Sequence, residues 1–344
     1  MSDRQQAMPL RRLGQTDMKI TPVGFGAWAL GGGDWAAGWG SQDDEDSIAA
    51  IRHAVERQGV NWIDTAAVYG LGRSETVVGE ALRRMPPDTR PFVFTKGGLI
   101  WDEADPRAFP KRVGQPDSIR REVEASLRRL GVERIDLYQM HWPAQDGTPI
   151  EDYWQALLDL KAEGKVRAVG LSNHDAAQLA AAEAVGHVDT LQPPFSAIER
   201  GAAESVLPWC EAHGTGVIVY SPMQAGLLTG SFTEMRAANL DDDDWRSRSD
   251  NFRGEKLRRN LALAEALKSI ADRHRLPTPA VAIAWVLAWP AVTGAIVGAR
   301  SPQQVDGWVG GARLTLSQSE LDEIAAAIRE TGAGQGPVQP AVAA

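Results

Sequence analysis

The chain has 344 residues, of which 43% are hydrophobic and 24% charged, a globular composition that excludes collagen-like and wholly disordered proteins. Its 36 Lys and Arg against 45 Asp and Glu give a net charge of −9, which disfavours nucleic acid or an anionic membrane as the main partner. Cys210 is the only cysteine, so an internal disulfide is excluded, and we identify no converging metal ligands. The sequence has neither a signal-peptide pattern nor a long apolar run, so we expect a cytoplasmic protein with no membrane partner. We also expect no bound metal.

Short apolar runs alternate with helical periodicity along the chain. Residues 1–8 predict a flexible lead, and residues 10–23 predict an N-terminal β-hairpin around a Gly-Gln-Thr-Asp turn. Eight β-rich runs follow: Val23–Phe25, Trp62–Ile63, Phe92–Thr95, Leu137–Met140, Ala168–Leu171, Thr190–Gln192, Val217–Tyr220 and Ala295–Val297. The predicted helices are Asp44–Arg57, Ser74–Arg84, Asp117–Leu130, Ile150–Ala162, Asp175–Ala184, Ala203–His213, Glu255–His274, Pro279–Ala288 and Ser317–Arg329.

This alternation predicts a parallel sheet, and eight such units favour a closed (β/α)8 TIM barrel, with a doubly wound sheet as the alternative. The glycines of residues 29–35 lack the spacing of a Rossmann fingerprint, so any nucleotide must be bound in another way. We expect a single barrel domain over residues 9–330 and a disordered tail over residues 331–344. A long loop follows strand 7 at residues 229–255, a length that is usually functional or mobile.

Polar side chains follow several of the predicted strands. Asp64, Lys96 and His141 end the second, third and fourth strands, and Tyr69 lies a few residues after Asp64. Active sites of such barrels lie at the carboxyl ends of the strands. A tyrosine acts as an acid near neutral pH more easily when a cation such as Lys96 stabilises its phenolate, and Asp64 would neutralise that lysine. His141 would then hydrogen-bond a reacting carbonyl oxygen.

Each of these residues also has a structural interpretation. Asp64 is suited to capping a turn, Lys96 to ending a strand in solvent, His141 to a satisfied place in the core, and Tyr69 to closing a loop. A different chemistry, in which Lys96 forms a Schiff base with a carbonyl substrate, is a further alternative. The combination at successive strand ends favours a common proton-transfer site.

Asp64, Tyr69, Lys96 and His141, within D-T-A-x-x-Y-G, T-K and M-H-W, resemble the catalytic tetrad of the aldo-keto reductase superfamily. The resemblance spans residues 10–313 and includes G-L-S-N, L-Q-x-x-F-S, Y-S-P-M-x-x-G-L-L-T-G and G-A-R-S. It implies a (β/α)8 barrel that binds NADPH, rather than NADH, in extended form without a Rossmann domain. It also implies that Tyr69 is the general acid, tuned by Lys96 and Asp64, and that His141 orients the carbonyl.

The resemblance further implies cofactor-binding residues after the later strands. Those at the nicotinamide are Ser172, Asn173, Gln192 and the stacking Tyr220. Those at the pyrophosphate are Ser221, Pro222, Gly226 and Leu228. Those at the adenosine end are Gly298, Arg300, Ser301 and Gln304. Two positions depart from the family pattern, because Val297 stands where many relatives have Pro and Trp308 stands near an adenine-contacting Asn.

Four tryptophans fall in loops near strand ends, and we interpret them either as an aromatic pocket for a small carbonyl substrate or as packing between loops: Trp28, Trp39, Trp101 and Trp142. The expected activity is NADPH-dependent reduction of aldehydes or ketones to alcohols. The alternative from another class is a nucleotide-binding regulatory protein with little turnover, because potassium-channel β subunits share the fold and the tetrad.

Overall fold

The computed structural model describes residues 7–241 and 244–340 and shows a closed eight-stranded barrel. The strands in the described chain are β1 (Arg11–Arg12), β2 (Lys19–Ile20), β3 (Val23–Gly26), β4 (Trp62–Asp64), β5 (Phe92–Gly97), β6 (Leu99–Ile100), β7 (Lys111–Arg112), β8 (Ile135–Met140), β9 (Val166–Ser172), β10 (Thr190–Gln192), β11 (Gly216–Val219) and β12 (Val292–Gly298). β3, β4, β5, β8, β9, β10, β11 and β12 follow one another around the barrel, and every neighbouring pair is parallel. The predicted (β/α)8 barrel is therefore confirmed.

Helices surround the barrel. They are α1 (Asp44–Arg52), α2 (Arg73–Arg83), α3 (Pro116–Leu130), α4 (Ile150–Ala162), α5 (Ala176–Val185), α6 (Ala202–His213), α7 (Glu234–Ala238), α8 (Gly254–His274), α9 (Thr278–Leu287), α10 (Pro302–Asp306) and α11 (Gln318–Thr331). Asp43 caps α1, and capping boxes begin α5 and α11, as the polar residues before their apolar periods predict. None of the helices in the described residues is both long enough and apolar enough to span a membrane.

The predicted N-terminal hairpin closes one end of the barrel. β1 and β2 pair antiparallel, and Leu13, Met18 and Ile20 are buried against the interior residues Trp62 and Phe94. The large indole of Trp62 is accommodated because the facing position in β3 is a glycine, where a Cβ would lie 2.2 Å from the ring. This plug leaves the opposite end, where the strands terminate, open for a site.

The long segment after β11 is more structured than the predicted loop. It contains α7 and two short 3₁₀ turns at Trp245–Arg248 and Asp250–Phe252. Phe232 and Phe252 are buried and meet edge to face with ring centroids 5.3 Å apart. Since these aromatic residues are isolated among polar neighbours in the sequence, only the folded chain brings them together as an apolar anchor.

The tail over residues 331–344 differs from the predicted disorder in its described part. Ala333 is buried, and Arg200 donates hydrogen bonds to the carbonyl oxygens of Ala333 (3.1 Å) and Gly336 (3.2 Å). Gly334 has a φ of +63°, and a Cβ there would lie 1.8 Å from the Ile198 carbonyl oxygen. The glycines that made the tail resemble a disordered segment permit this close backbone contact. Residues 341–344, and residues 1–6 of the predicted flexible lead, lie outside the described residues.

Candidate active site

A buried ion pair lies at the carboxyl ends of β4 and β5. Lys96 Nζ is 2.6 Å from Asp64 Oδ1, and it also donates to the Thr65 carbonyl oxygen (2.9 Å) and to the Tyr69 hydroxyl (3.4 Å). The Lys96 side chain is 0% exposed, so the interpretation of a solvated strand end is wrong. An ammonium has three N–H donors and all three have acceptors here, which leaves no lone pair for the Schiff-base alternative while Lys96 is charged.

Burial and charge act in opposite directions on this pair. Burial lowers the pKa of Lys96 and raises the pKa of Asp64, because each charged form loses water. Mutual attraction opposes both shifts, and the Gln192 side-chain amide adds a hydrogen bond to Asp64 Oδ2 at 2.9 Å. The result is a fixed cation beside the Tyr69 hydroxyl.

Tyr69 itself holds its proton firmly in this environment. Burial raises its pKa well above 10, and the negative charge of Asp64 adds to the shift. The Tyr69 ring packs at 6.1 Å from the ring of Trp28 and edge-on to His141 at 5.6 Å. At neutral pH the hydroxyl is therefore a proton donor next to a lysine that would stabilise the phenolate left behind.

His141 lies at the end of β8 and is buried. Its pKa is lowered well below 6.5, first by burial and then by the charges of Lys96 and Arg112. Its Nδ1 is buried and has no hydrogen-bond partner among the described residues. The imidazole is thus neutral at physiological pH and carries a single N–H donor. The interpretation of a fully satisfied core histidine does not fit this unpaired nitrogen.

A hydrogen-bond network joins the tetrad to residues after β9, β10 and β11. The Tyr220 hydroxyl donates to Asn173 Oδ1 (2.7 Å), and Asn173 Nδ2 donates to the His141 carbonyl oxygen (2.9 Å). Ser172 Oγ donates to the Gln192 carbonyl oxygen (2.9 Å). Asn173 adopts a left-handed φ of +62°, a conformation that is uncommon outside glycine and concentrated at functional sites. The predicted nicotinamide-site residues therefore lie together next to the tetrad.

The loop after β11 is unusual in its backbone. Ser221, Gln224, Ala225 and Gly226 have φ values of +57°, +46°, +51° and +105°. Hydrogen bonds within the loop hold this conformation: the Gln224 N–H donates to the Ser221 carbonyl oxygen (2.9 Å), and the Gly226 and Leu228 N–H groups donate to the Met223 carbonyl oxygen (3.2 and 3.1 Å). A Cβ on Gly226 would make only ordinary contacts, with the Phe232 ring at 3.7 Å and the Arg246 guanidinium at 3.8 Å. Pro222 lies in the same loop, whereas Leu228 is fully buried and packs in the core.

At the end of β12, Arg300 bends over the loop that precedes α1. Its guanidinium donates to Gln42 Oε1 (2.5 Å), to the Trp39 carbonyl oxygen (3.3 Å) and to the Ser41 carbonyl oxygen. Gln304 Oε1 accepts from the Arg300 backbone N–H (2.8 Å), and Ser301 stands before α10 without capping it through its hydroxyl. Gly298 ends β12 and is exposed. Trp308 is 2% exposed and part of the core, so it is a packing residue.

The four predicted pocket tryptophans fall into separate contacts. Trp28 and Trp39 meet edge to face at 5.2 Å, and Trp101 packs against the small buried cluster of Trp35, Ala66 and Val68, against which Tyr69 also packs. Trp142 lies against the guanidinium of Arg112, 4.3 Å from its ring centroid. The structure thus brings Trp28 to Tyr69 and Trp101 to the same buried cluster as Tyr69, whereas Trp142 directly follows His141 in the chain.

Two residues of the long segment were missed by the sequence analysis. Trp245 stacks on Trp28 with ring centroids 5.6 Å apart, so the long segment contacts the loop after β3. Arg246 pairs with Asp244 (2.5 Å), donates to the Ala225 carbonyl oxygen (3.2 Å) and lies over the Trp39 ring. In the sequence, these two residues stand out only as a tryptophan and an arginine within an acidic stretch. That pattern does not predict that their side chains point toward the site.

Comparisons with known proteins agree with this geometry. The aldo/keto reductase family model matches residues 22–329. The NADH-specific methylglyoxal reductase of Escherichia coli (strain K12) is 35% identical over 318 residues, covering 90% of this chain and 94% of that protein. The aldo-keto reductase YhdN of Bacillus subtilis (strain 168) is 33% identical over 325 residues, covering 94% and 95%.

Solved structures give the same result. A glycerol dehydrogenase from Gluconobacter oxydans superposes with a TM-score of 0.85 at 35% identity, covering 97% of this chain and 99% of that one. An aldo-keto reductase from Bacillus halodurans in its holo form gives a TM-score of 0.73 at 25% identity, covering 93% and 96%. With its barrel and with this match across most of its length, the chain belongs to the aldo/keto reductase family and is an NAD(P)H-dependent oxidoreductase.

Proposed function

We propose that the protein reduces small aldehydes or ketones to alcohols, with Tyr69 as the general acid. One observation carries this proposal: the Tyr69 hydroxyl lies 3.4 Å from Lys96 Nζ, and that ammonium is fixed by Asp64 at 2.6 Å. A phenol that keeps its proton at neutral pH yet has a cation ready for its phenolate is suited to donating a proton in a transition state.

The chemistry divides between the bound nicotinamide and the side chains. When bound, the reduced nicotinamide supplies the hydride that converts the carbonyl carbon to the alcohol carbon. Tyr69 gives its proton to the carbonyl oxygen as negative charge develops there, and Lys96 stabilises the phenolate until solvent reprotonates it. The neutral imidazole of His141 donates a hydrogen bond to the same oxygen and orients it.

The chain's residues fit a dinucleotide in extended form. At the carboxamide end, Asn173 has a left-handed φ and donates to the His141 carbonyl oxygen, and Ser172 donates to the Gln192 carbonyl oxygen. The tight turn around Gly226 would hold the pyrophosphate, and Arg246, which donates to the Ala225 carbonyl oxygen at 3.2 Å, would lie beside it. Tyr220 is held by Asn173 in a position to stack on the nicotinamide ring.

We propose that the protein prefers NADPH to NADH as its cofactor, and that Arg300 determines this preference by binding the 2′-phosphate. The E. coli relative is named NADH-specific, so membership of the family does not decide the choice. Arg300 uses three of its five N–H donors on Gln42 and on the carbonyl oxygens of Trp39 and Ser41. Two donors remain for a 2′-phosphate, with the Ser301 hydroxyl and the start of α10 beside them.

Isothermal titration tests this preference. Because a charge-assisted hydrogen bond is worth about 1.5–3 kcal/mol, Arg300→Ala is expected to weaken NADPH binding roughly tenfold to a hundredfold and to leave NADH binding nearly unchanged. Arg90→Ala, an exposed arginine that precedes β5 at the opposite end of the barrel, is the matched control. Equal losses for both cofactors in Arg300→Ala would show that Arg300 only holds the loop at Gln42.

Turnover tests the activity as a whole. The purified protein is incubated with excess NADPH or NADH and with aromatic aldehydes, small aldehydes, sugars and ketones, and alcohol formation is followed together with cofactor oxidation. We expect many equivalents of alcohol per protein chain, matched by oxidised cofactor. Oxidation of a single bound equivalent without further turnover would instead favour a regulatory protein of the potassium-channel β-subunit type.

A further inference from the structure

Arg112 is held at the edge of the site by two loops. It ends β7, whose pairing with β6 (Leu99↔Arg112) forms a hairpin directly after β5. Its carbonyl oxygen accepts from the Gln145 N–H at 3.0 Å, which ties the hairpin to the loop that follows β8. Its guanidinium lies over the Trp142 ring, 4.3 Å from the ring centroid. The position of this cation is therefore defined by backbone and by an aromatic surface.

The charge of Arg112 has no counter-ion. Within residues 7–241 and 244–340, no carboxylate oxygen lies within 4 Å of its guanidinium, although the side chain is only partly exposed. Arg107 on the same hairpin behaves differently: it is 73% exposed and pairs with Asp34 at 3.2 Å. Among partly buried arginines, a guanidinium that packs on an aromatic ring and keeps its donors free is prepared to bind an external anion.

This cation packs against the residue that directly follows His141. Trp142 directly follows His141, and the charge of Arg112 helps to lower the pKa of the His141 imidazole, after burial and Lys96. Lys96, the other cation acting on His141, is already neutralised by Asp64. A substrate carbonyl held by Tyr69 and His141 would thus have an uncompensated positive charge close to its remaining part.

We propose that Arg112 binds a carboxylate of the substrate, so that the preferred substrates are aldehydes or ketones that also carry a carboxylate group. This inference rests on the proposed carbonyl reduction. The planar fork of a guanidinium matches a carboxylate in a bidentate manner. A single free cation balances one negative charge, which favours a carboxylate over a dianionic phosphate.

The test compares two substrates of equal length, 4-oxobutanoate and butanal, in the wild type, Arg112→Gln, Arg112→Lys and the control Arg107→Gln. We expect the wild type to prefer 4-oxobutanoate in kcat/KM. Arg112→Gln should lose roughly tenfold to a hundredfold on 4-oxobutanoate, mainly through KM, and change about twofold or less on butanal. Arg112→Lys should retain part of the preference, and Arg107→Gln should resemble the wild type.

The possible failures are distinguishable. If the wild type reduces neither compound nor any other carbonyl, the proposed function is wrong. If it reduces butanal and Arg112→Gln loses activity equally on both substrates, Arg112 is a structural residue and the inference is overturned. If Arg112→Gln leaves both substrates unchanged, the inference is overturned as well. Succinate gives a readout without turnover, because its competitive inhibition constant should rise in Arg112→Gln and stay the same in Arg107→Gln.

Discussion

Lys96 illustrates how one buried side chain defines the candidate site. Its three donors bind Asp64, the Thr65 carbonyl oxygen and Tyr69, so the lysine fixes both its counter-ion and the proposed acid. The sequence allowed this role to be predicted because Asp64 and Lys96 each end a strand, and neighbouring parallel strands end side by side. The prediction depended on the position that these residues share at the ends of neighbouring strands, and not on any one residue alone.

His141 allows a prediction about pH. Because burial and two cations lower its pKa well below 6.5, the imidazole stays neutral as the pH falls through the usual histidine range. We expect kcat/KM for carbonyl reduction to show no histidine ionisation between about pH 6 and pH 8. The measurement is the pH profile of the wild type beside His141→Asn. An acidic limb near 6.5 that disappears in the variant would contradict the lowered pKa.

Other residues of the site were beyond sequence reasoning. Trp245, Arg246 and Arg112 contact the site through loops whose course depends on packing between distant segments. Their residue types are common on protein surfaces, and no regular spacing separates them from solvent-exposed neighbours. Trp28 and Trp101 were predicted at the pocket from their loop positions; Trp28 stacks near Tyr69, and Trp101 packs against the same buried cluster as Tyr69.

Among the elements, β5 is supported from outside the barrel by α3. Glu122 of α3 is buried and accepts hydrogen bonds from the Gly98 N–H (2.7 Å) and the Ser118 hydroxyl (3.2 Å). Gly97, the last residue of β5, in turn accepts the His141 N–H at 3.0 Å. Burial raises the pKa of Glu122 to about 7, against the hydrogen bonds and the charge of Arg129.

From the raised pKa of Glu122 we predict that the free energy of unfolding depends on pH. The folded pKa of Glu122 lies above its unfolded value of 4.5, so the folded state binds more protons and the contribution of Glu122 to stability falls as the pH rises from 4.5 to 7. A shift of this size corresponds to about 3 kcal/mol. Glu122→Gln, which keeps an acceptor for Gly98, should lose this dependence. Urea unfolding of both proteins at pH 5 and pH 8 measures it, and the same pH dependence in both would contradict the account.

Element boundaries were predictable where a regular pattern continued over many residues. The eight barrel strands and the long helices follow from apolar runs and from helical periods with capping residues. The short α7 and the 3₁₀ turns after it were not predictable, since Phe232 and Phe252 are separated by nineteen polar or mixed residues. Their burial depends on a contact that only the folded segment makes.

At the scale of the whole molecule, barrel closure gathers distant residues into one site. β12 pairs with β3, which brings Arg300 from the end of the chain onto the loop that carries Gln42. The tail adds a further long-range contact through Arg200 and Ala333. The closed barrel was predictable from the count and order of elements, whereas the tail contact was not, because glycine-rich composition resembles disorder.

The most direct test of the account measures hydride transfer in a single turnover. Stopped-flow oxidation of NADPH by butanal is compared in the wild type and in Tyr69→Phe, with cofactor affinity measured by fluorescence titration. Because the proposed role of the phenol is confined to the proton-transfer step, we expect Tyr69→Phe to slow the reaction by roughly a hundredfold or more and to change the Kd for NADPH by about twofold or less. A Tyr69→Phe variant that reduces butanal at nearly the wild-type rate would contradict the assignment of Tyr69 as the acid.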